Sequence, residues 1–297
     1  MTAATAWFAD RTVFRIGYGA LQLECLHDRR SEAVALLRRA VELGVDHVDT
    51  AEFYGAGFAN DVIREALRPE DDVLVVTKVG ADPDPGGHLP LRLAQRPERL
   101  RASVEDNLRS LGVDRLAVVN LRRLDTGPGL RPEGDQVVDL DDQLAMMTAL
   151  RDEGKIGAIG LSSVTLDGLR RALPARIVCV QNAYSLTSRD DEDMLELCVA
   201  EDIAWVPFFP LGGAFPGLPK VTEEPAVQAA AESLGVTPSQ VGLAWLLHRA
   251  PNVLLIPGTA DAVHLEANMA VGEITLAAST LAALDAIESR SNEVPIG

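Results

Sequence analysis

Short, mostly apolar runs alternate with helix-patterned stretches along almost the whole chain, and this alternation limits the possible folds more than any other feature. The runs are FRIGYGA (14–20), VDHVD (45–49), VLVVTK (73–78), LAVVNL (116–121), IGAIGLS (156–162), IVCVQ (177–181), IAWVPF (203–208) and VLLIPG (253–258), eight in all. Between them the apolar spacing changes to that of a helix. Ala33, Leu36, Leu37, Ala40 and Leu43 form one face and Gly44 ends it. Pro97 suits a first helical turn, Leu100, Val104, Leu108 and Leu111 form the face, and Gly112 stops it. A third copy runs through Leu140, Leu144, Met147 and Leu150 to Gly154. The tetrapeptide LGVD stands at 43–46 and again at 111–114, each time between helix and strand, as a weak repeat of a β-α unit. Near-continuous apolar strands separated by helices predict a parallel sheet covered by helices. Eight such units in 297 residues predict one domain over 1–297, an α/β chain folded as a (β/α)8 TIM barrel. An open doubly wound sheet is the alternative.

Two stretches break the repeat, a Pro/Gly-rich loop at 81–97 after the third strand and another at 211–225 after the seventh. Loops of that length often act as lids or binding loops. Beyond the second, Thr237-Pro238-Ser239-Gln240 starts a helix with a capping-box pattern, and a last helix is expected over 279–289.

Composition matters for partners. The net charge of −17 repels nucleic acid and anionic membrane, so neither is an expected partner, and an anionic cofactor would need a local positive pocket. Cys25, Cys179 and Cys198 show no CxxC spacing, which argues against a disulfide framework or zinc site and for a reducing cytoplasm. The start of the chain lacks a charged segment followed by an apolar core, so no signal peptide is expected. No apolar run reaches the roughly 18 residues that span a bilayer. The five histidines are scattered; no metal site is expected and His47 is given no role.

In a barrel, residues just after the strands share one rim. Asp49 ends the second run, Tyr54 follows it, Lys78 ends the third and Arg122 follows the fourth. Taken singly, Asp49 reads as a turn residue and Tyr54 as a rim aromatic; for Arg122 a structural ion pair is the alternative. Lys78 is harder to dismiss, because lysine is rarely buried unpaired. An acid, a phenol and an amine converging on one rim form a proton relay. A tyrosine alone is a poor acid at neutral pH, a nearby ammonium favours its phenolate, and a carboxylate holds that ammonium. The matching chemistry protonates a carbonyl oxygen while a hydride arrives at its carbon.

DTAEFYG, the downstream Lys78, and then IGLSS, VQNAYS, PFFPLGG and IPGT occur in an order that resembles the aldo-keto reductases, from about Gly17 to Asn268. The variant segments resemble a bacterial branch that includes pyridoxal reductases. The family usually has a His where VVNLRRLD places Arg122. The resemblance implies Tyr54 as proton donor, Lys78 as the group that lowers its pKa, Asp49 as the anchor of Lys78, and Arg122 as a donor toward the carbonyl oxygen. It implies extra C-terminal helices on the barrel. It implies a nicotinamide held by Asp49, Ser162, Ser163 and Gln181, with Ser163 replacing the usual Asn. Phe208 would stack on the ring beside Phe209, Gly19, Ala20 and Leu21 would line the cofactor, and Leu211, Gly212 and Gly213 would fold over the pyrophosphate. Pro257, Gly258, Thr259, His264 and Asn268 would meet the adenosine end, where Gly258 and His264 replace a common Lys and Arg. A helix N-terminus near Asp261 is a further phosphate-binding candidate. NADPH is the implied cofactor, with NADH the alternative. GAG at 55–57 lacks the third glycine of a Rossmann turn.

The expected function is NADPH-dependent reduction of a small-molecule carbonyl, with pyridoxal or another small aldehyde as substrate and a sugar-type ketone as runner-up. A lyase using Lys78 as a Schiff base and a cofactor-binding regulatory protein without turnover are the rivals. Oligomeric state has no sequence signal.

Overall fold

The computed structural model describes residues 4–213 and 218–291. Its first element is a hairpin, β1 (Thr5–Phe8) and β2 (Arg11–Phe14), which the sequence reading did not anticipate. The barrel strands follow as β3 (Tyr18–Gly19), β4 (His47–Asp49) and β5 (Leu74–Val79). A small hairpin, β6 (Ala81–Pro83) and β7 (Leu91–Leu93), precedes β8 (Leu116–Arg122), β9 (Ile156–Ser162), β10 (Ile177–Gln181) and β11 (Ala204–Trp205). Seven strands pair in the order β11-β10-β9-β8-β5-β4-β3, all parallel. The eighth run closes the ring through single parallel bridges, Trp205 to Val253 on one side and Ile16 to Leu255 on the other. This is the expected (β/α)8 barrel.

Helices cover it: α1 (Arg30–Glu42), α2 (Phe58–Ala66), α3 (Pro97–Leu111), α4 (Leu140–Asp152), α5 (Leu166–Ala172) and α6 (Glu192–Ala200). Then come α7 (Pro225–Leu234), α8 (Pro238–Arg249), α9 (Ala262–Met269) and α10 (Ala278–Asp285). The expected capping box opens α8, with Thr237 and Gln240 satisfying each other's backbone N–H. The extra helices pack at the C-terminal end, where Trp245 Nε1 of α8 donates to Asp285 Oδ1 of α10 at 2.8 Å. The last helix is shorter than expected. Arg189 captures the carbonyls of Asp285 and Ile287, which draws the chain out of helical geometry.

Two cores result. The outer one lies between helices and sheet, and the faces predicted for α1, α3 and α4 point into it. The inner one fills the barrel with Leu74, Val76, Val118, Cys179, Val206 and Leu254, and Phe8 and Val13 of the N-terminal hairpin plug its lower end. The closing strand is secured by Arg15. Its buried guanidinium donates to the carbonyls of Val253 and Leu247 at 2.9 Å and of Ala250 at 2.5 Å. Burial without a counter-charge pushes Arg15 down to about 10.

The predicted loop at 81–97 is partly ordered as β6 and β7. Asp82 fixes it by accepting from Arg99 and from Ser103 Oγ of α3, and Ala81 and Leu91 lie against Phe53. Of the loop at 211–225, residues 214–217 lie outside the described residues. Among the described residues no single helix is long and apolar enough to cross a membrane.

Candidate active site

Three strand ends build a charged corner on the rim. Asp49 closes β4 and is buried, with Lys78 Nζ donating to its Oδ1 and Gln181 Nε2 to its Oδ2, the latter at 2.7 Å. The Lys78 ammonium also donates to the Thr50 carbonyl at 3.1 Å and lies 5.0 Å from the centre of the Tyr54 ring. Burial disfavours the charged lysine, but attraction to Asp49 and Tyr54 and the hydrogen bond to Asp49 outweigh that cost and raise its pKa. The lysine therefore remains an ammonium beside the phenol.

Tyr54 sits on the 50–57 loop, and a buried polar network holds that loop from behind. Thr50 Oγ1 donates to Asn60 Oδ1 at 2.8 Å, and Asn60 Nδ2 reaches Glu52 Oε2 at 2.7 Å. Ser110 Oγ donates to the same Glu52 oxygen at 2.6 Å, and Thr77 Oγ1 donates to Asn107 Oδ1 at 2.6 Å. The loop is thus tied to α2, α3 and β5. The GAG that fails as a Rossmann turn is the exit from this loop. Gly55, Ala56 and Gly57 all have positive φ, at 59°, 53° and 92°, a run that glycine accepts at little cost. The sequence reading missed Asn60 and Asn107. Their signal is a polar residue on the apolar face of each helix, since both are fully buried.

Arg122 ends β8, Arg123 follows it, and the two diverge. Arg123 turns toward α4, pairing with Asp125 at 3.0 Å and donating to Gln143 Oε1 at 2.5 Å. Arg122 turns to the Tyr54 side, its guanidinium 5.4 Å from the Phe53 ring centre, and Phe53 meets Tyr54 edge-on at 5.2 Å. Among the described residues no carboxylate pairs with it, so the ion-pair alternative has no partner. Burial lowers the pKa of Arg122, and Tyr54 works against that. A cavity of about 230 Å³ lies on the Arg123 side, lined by Gln95, Asp125 and Arg131, and contains none of Asp49, Tyr54 or Lys78.

The residues expected at a nicotinamide gather beside this corner. Arg122 pairs in register with Ser162, and Ser162 with Gln181. Among the described residues, buried Gln181 Oε1 has no hydrogen-bond partner. Ser163 and Phe209 have positive φ, both at 52°, in a region non-glycine residues seldom occupy. Such outliers at a rim point to function. Phe208 is half-buried and meets Phe209 edge-on at 5.0 Å. Gly19 and Ala20 are buried at the end of β3 with Leu21 half-buried, and Leu211, Gly212 and Gly213 are half-buried at the start of the second long loop.

Pro257, Gly258 and Thr259 follow the eighth strand, and His264 and Asn268 lie along α9. A Cβ at Gly258 would stand 2.6 Å from the Gly19 carbonyl, so the backbone itself resists a side chain there. Thr259 is buried and its carbonyl accepts from Tyr18 at 2.6 Å. The helix N-terminus expected to receive phosphate is already capped. Asp261 Oδ1 accepts from the His264 N–H at 3.0 Å, and backbone hydrogen bonds from His264 and Val263 hold its carboxyl below the usual range. His264 is exposed. His47 lies on the same face of β4 as Asp49, two residues down, packed against Gly17 and edge-on to Phe8. Strand alternation puts it there. Among the described residues no group of three or more His, Cys, Asp or Glu is placed to hold a metal ion.

Comparison with known proteins shows the family and the fold. The Aldo/keto reductase family pattern matches residues 15–289. The chain is 42% identical over 297 residues to the pyridoxine 4-dehydrogenase of Escherichia coli, covering 97% of this chain and 99% of that protein. It is 32% identical to an uncharacterized oxidoreductase of Schizosaccharomyces pombe, over 95% of this chain and 89% of the other. Among solved structures, an aldo-keto reductase of Klebsiella pneumoniae in complex with NADPH superposes with a TM-score of 0.79 at 28% identity, covering 96% of this chain and 95% of that one. A second from the same organism, in complex with NADP and acetate, gives 0.78 at 28% identity over 97% and 98%.

Proposed function

The chain belongs to the Aldo/keto reductase family, and on that premise we propose that it reduces an aldehyde to the alcohol with NADPH, and that the aldehyde is pyridoxal. The buried Lys78–Asp49 pair against Tyr54 carries this reading. The name of the Escherichia coli relative supports the substrate, and the ligands of the Klebsiella neighbours support the cofactor.

The residues present fit a nicotinamide. Gln181 Oε1 needs a donor, and in this reading it and the Ser162 and Ser163 hydroxyls hold the carboxamide, Phe208 covers the ring beside Phe209, and Gly19, Ala20 and Leu21 form the trough. Leu211 and Gly213 lie over the pyrophosphate, with Pro257, Gly258, Thr259, His264 and Asn268 at the adenosine. When bound, the cofactor supplies a hydride to the carbonyl carbon. The carbonyl π pair moves to oxygen, which takes the proton of the Tyr54 hydroxyl and completes the alcohol. Lys78 stabilises the phenolate left behind, and Asp49 keeps Lys78 charged and in place. Arg122 aims donors at the same oxygen but cannot shuttle a proton, being always charged. Tyr54 is then reprotonated from solvent. One barrel domain holds the whole site, and the three free thiols support a reducing cytoplasm.

The test is NADPH oxidation with pyridoxal, comparing wild type with Tyr54→Phe. The variant should lose about 10²–10⁴-fold in kcat, the usual worth of a positioned general acid. Equal turnover in the variant removes Tyr54 as the acid. NADPH binding without turnover of any aldehyde turns the reading to a regulatory protein.

A further inference from the structure

Arg122 is a half-buried cation that nothing in the described protein neutralises. Carboxylates are not scarce, since the chain has 44 acidic residues against 27 Lys and Arg. Its neighbours are paired, Arg123 with Asp125 and Lys78 with Asp49. Its own main chain is fixed, because Gln95 Nε2 donates to the Arg122 carbonyl at 2.8 Å and the residue holds register with Ser162. Its head group rests on Phe53. A partner for this charge would then have to come from a ligand bound beside Tyr54, whose ring meets Phe53 edge-on.

That occupant must put its carbonyl oxygen at the Tyr54 hydroxyl. In this reading a guanidinium seated on Phe53, itself edge-on to Tyr54, would meet a group on the next carbon. A guanidinium is a planar fork that binds two neighbouring oxygens best when at least one is anionic. We propose that Arg122 is a specificity-determining residue that selects aldehydes bearing an ionised hydroxyl on the carbon next to the one that carries the aldehyde, gripping both oxygens while Tyr54 protonates the carbonyl oxygen. The proposal rests on the reductase reading above and names what that site prefers. The pyridoxal ring meets the requirement, since a hydroxyl stands beside the carbon that carries its aldehyde.

The experiment measures kcat/KM for ortho-hydroxybenzaldehyde, para-hydroxybenzaldehyde and ortho-methoxybenzaldehyde with NADPH, in wild type, Arg122→Gln and Arg122→Lys. Wild type should favour the ortho-hydroxy over the para-hydroxy isomer by about 10–100-fold, the range of a charged hydrogen-bond pair. That ratio should rise with pH as the ortho hydroxyl ionises. It should fall to near one in Arg122→Gln and recover only in part in Arg122→Lys, which keeps the charge without the fork. A ratio unchanged in Arg122→Gln overturns the assignment while leaving the reductase reading intact. So does an equal preference for the ortho-methoxy compound, which cannot ionise. No turnover of any of these aldehydes or of pyridoxal by wild type overturns both.

Discussion

Two cations stand at the ends of neighbouring strands, and the protein treats them in opposite ways. At the end of β5, Lys78 is enclosed by Asp49, the Thr50 carbonyl and Tyr54, and its charge is neutralised within the fold. At the end of β8, Arg122 lies on an aromatic ring with no carboxylate among the described residues. A charge neutralised internally is ready before a ligand arrives and acts on the neighbouring phenol. One left open carries its desolvation cost until a ligand offsets it, and so reports on ligand identity. The first arrangement suits a step common to every substrate, the second a choice among substrates.

The largest expected effect breaks the enclosed side. Lys78→Met leaves Asp49 buried with only Gln181 to donate to it. Unfolding free energy should fall by about 3–5 kcal/mol, the cost of removing one partner of a buried pair. Aldehyde turnover should fall by about a thousandfold. Urea denaturation and steady-state kinetics check both. A variant that keeps wild-type stability would mean that the Lys78–Asp49 pair is not enclosed.

Asn60→Ala should come next. It removes the amide that joins Thr50, Glu52 and Ser110 behind the Tyr54 loop. Four polar groups, on Thr50, Glu52, Asn107 and Ser110, lose a partner, at about 2–3 kcal/mol in total by urea denaturation. Turnover should fall by about tenfold, because the acid is then held less firmly. Full activity at reduced stability would separate the network from the positioning of Tyr54.

Arg122→Gln sharpens the contrast by what it leaves unchanged. With no ion pair to lose and a desolvated charge removed, its unfolding free energy should be no lower than that of wild type. A loss on the scale of Lys78→Met would show that Arg122 has a structural partner after all.

These two strand ends were not equally legible in the sequence. A lysine closing an otherwise apolar strand marks itself, and helix faces bounded by glycine fixed the barrel's rhythm. Arg122 and Arg123 are adjacent and identical in type, so only the strand's final register decides which one faces Tyr54. The Gln181–Asp49 bond and the Asn60 network join residues far apart in sequence, and hydrogen-bond partners at such distances leave no periodic trace. The N-terminal hairpin was missed for a related reason. Its two strands are four residues each, and only Phe8 and Val13 point inward. The 81–97 segment read as a loop because of its prolines and glycines, whereas Asp82 buried against α3 orders it.

The smallest expected effect concerns Glu52, on the same loop as Tyr54 and bonded behind it to Asn60 and Ser110. Burial raises its pKa, the hydrogen bonds from Ser110 and Asn60 oppose that, and the nearby charges of Asp106 and Asp61 add to it. A carboxyl whose folded pKa is raised binds its proton more tightly in the native state. Its contribution is complete below the unfolded value and is lost as pH rises through the folded one. Glu52→Gln keeps an oxygen to accept from Ser110 and Asn60 but cannot ionise. The variant should match wild type in acid, below the ordinary glutamate range, and gain on it as pH rises toward neutrality. The difference in Tm should reach about 1–2 °C. Thermal unfolding of both proteins across that pH range checks the sign. An advantage that shrinks as pH rises would mean that Glu52 is stabilised as the anion, and the loop behind Tyr54 would then hold a second neutralised charge like that of Lys78.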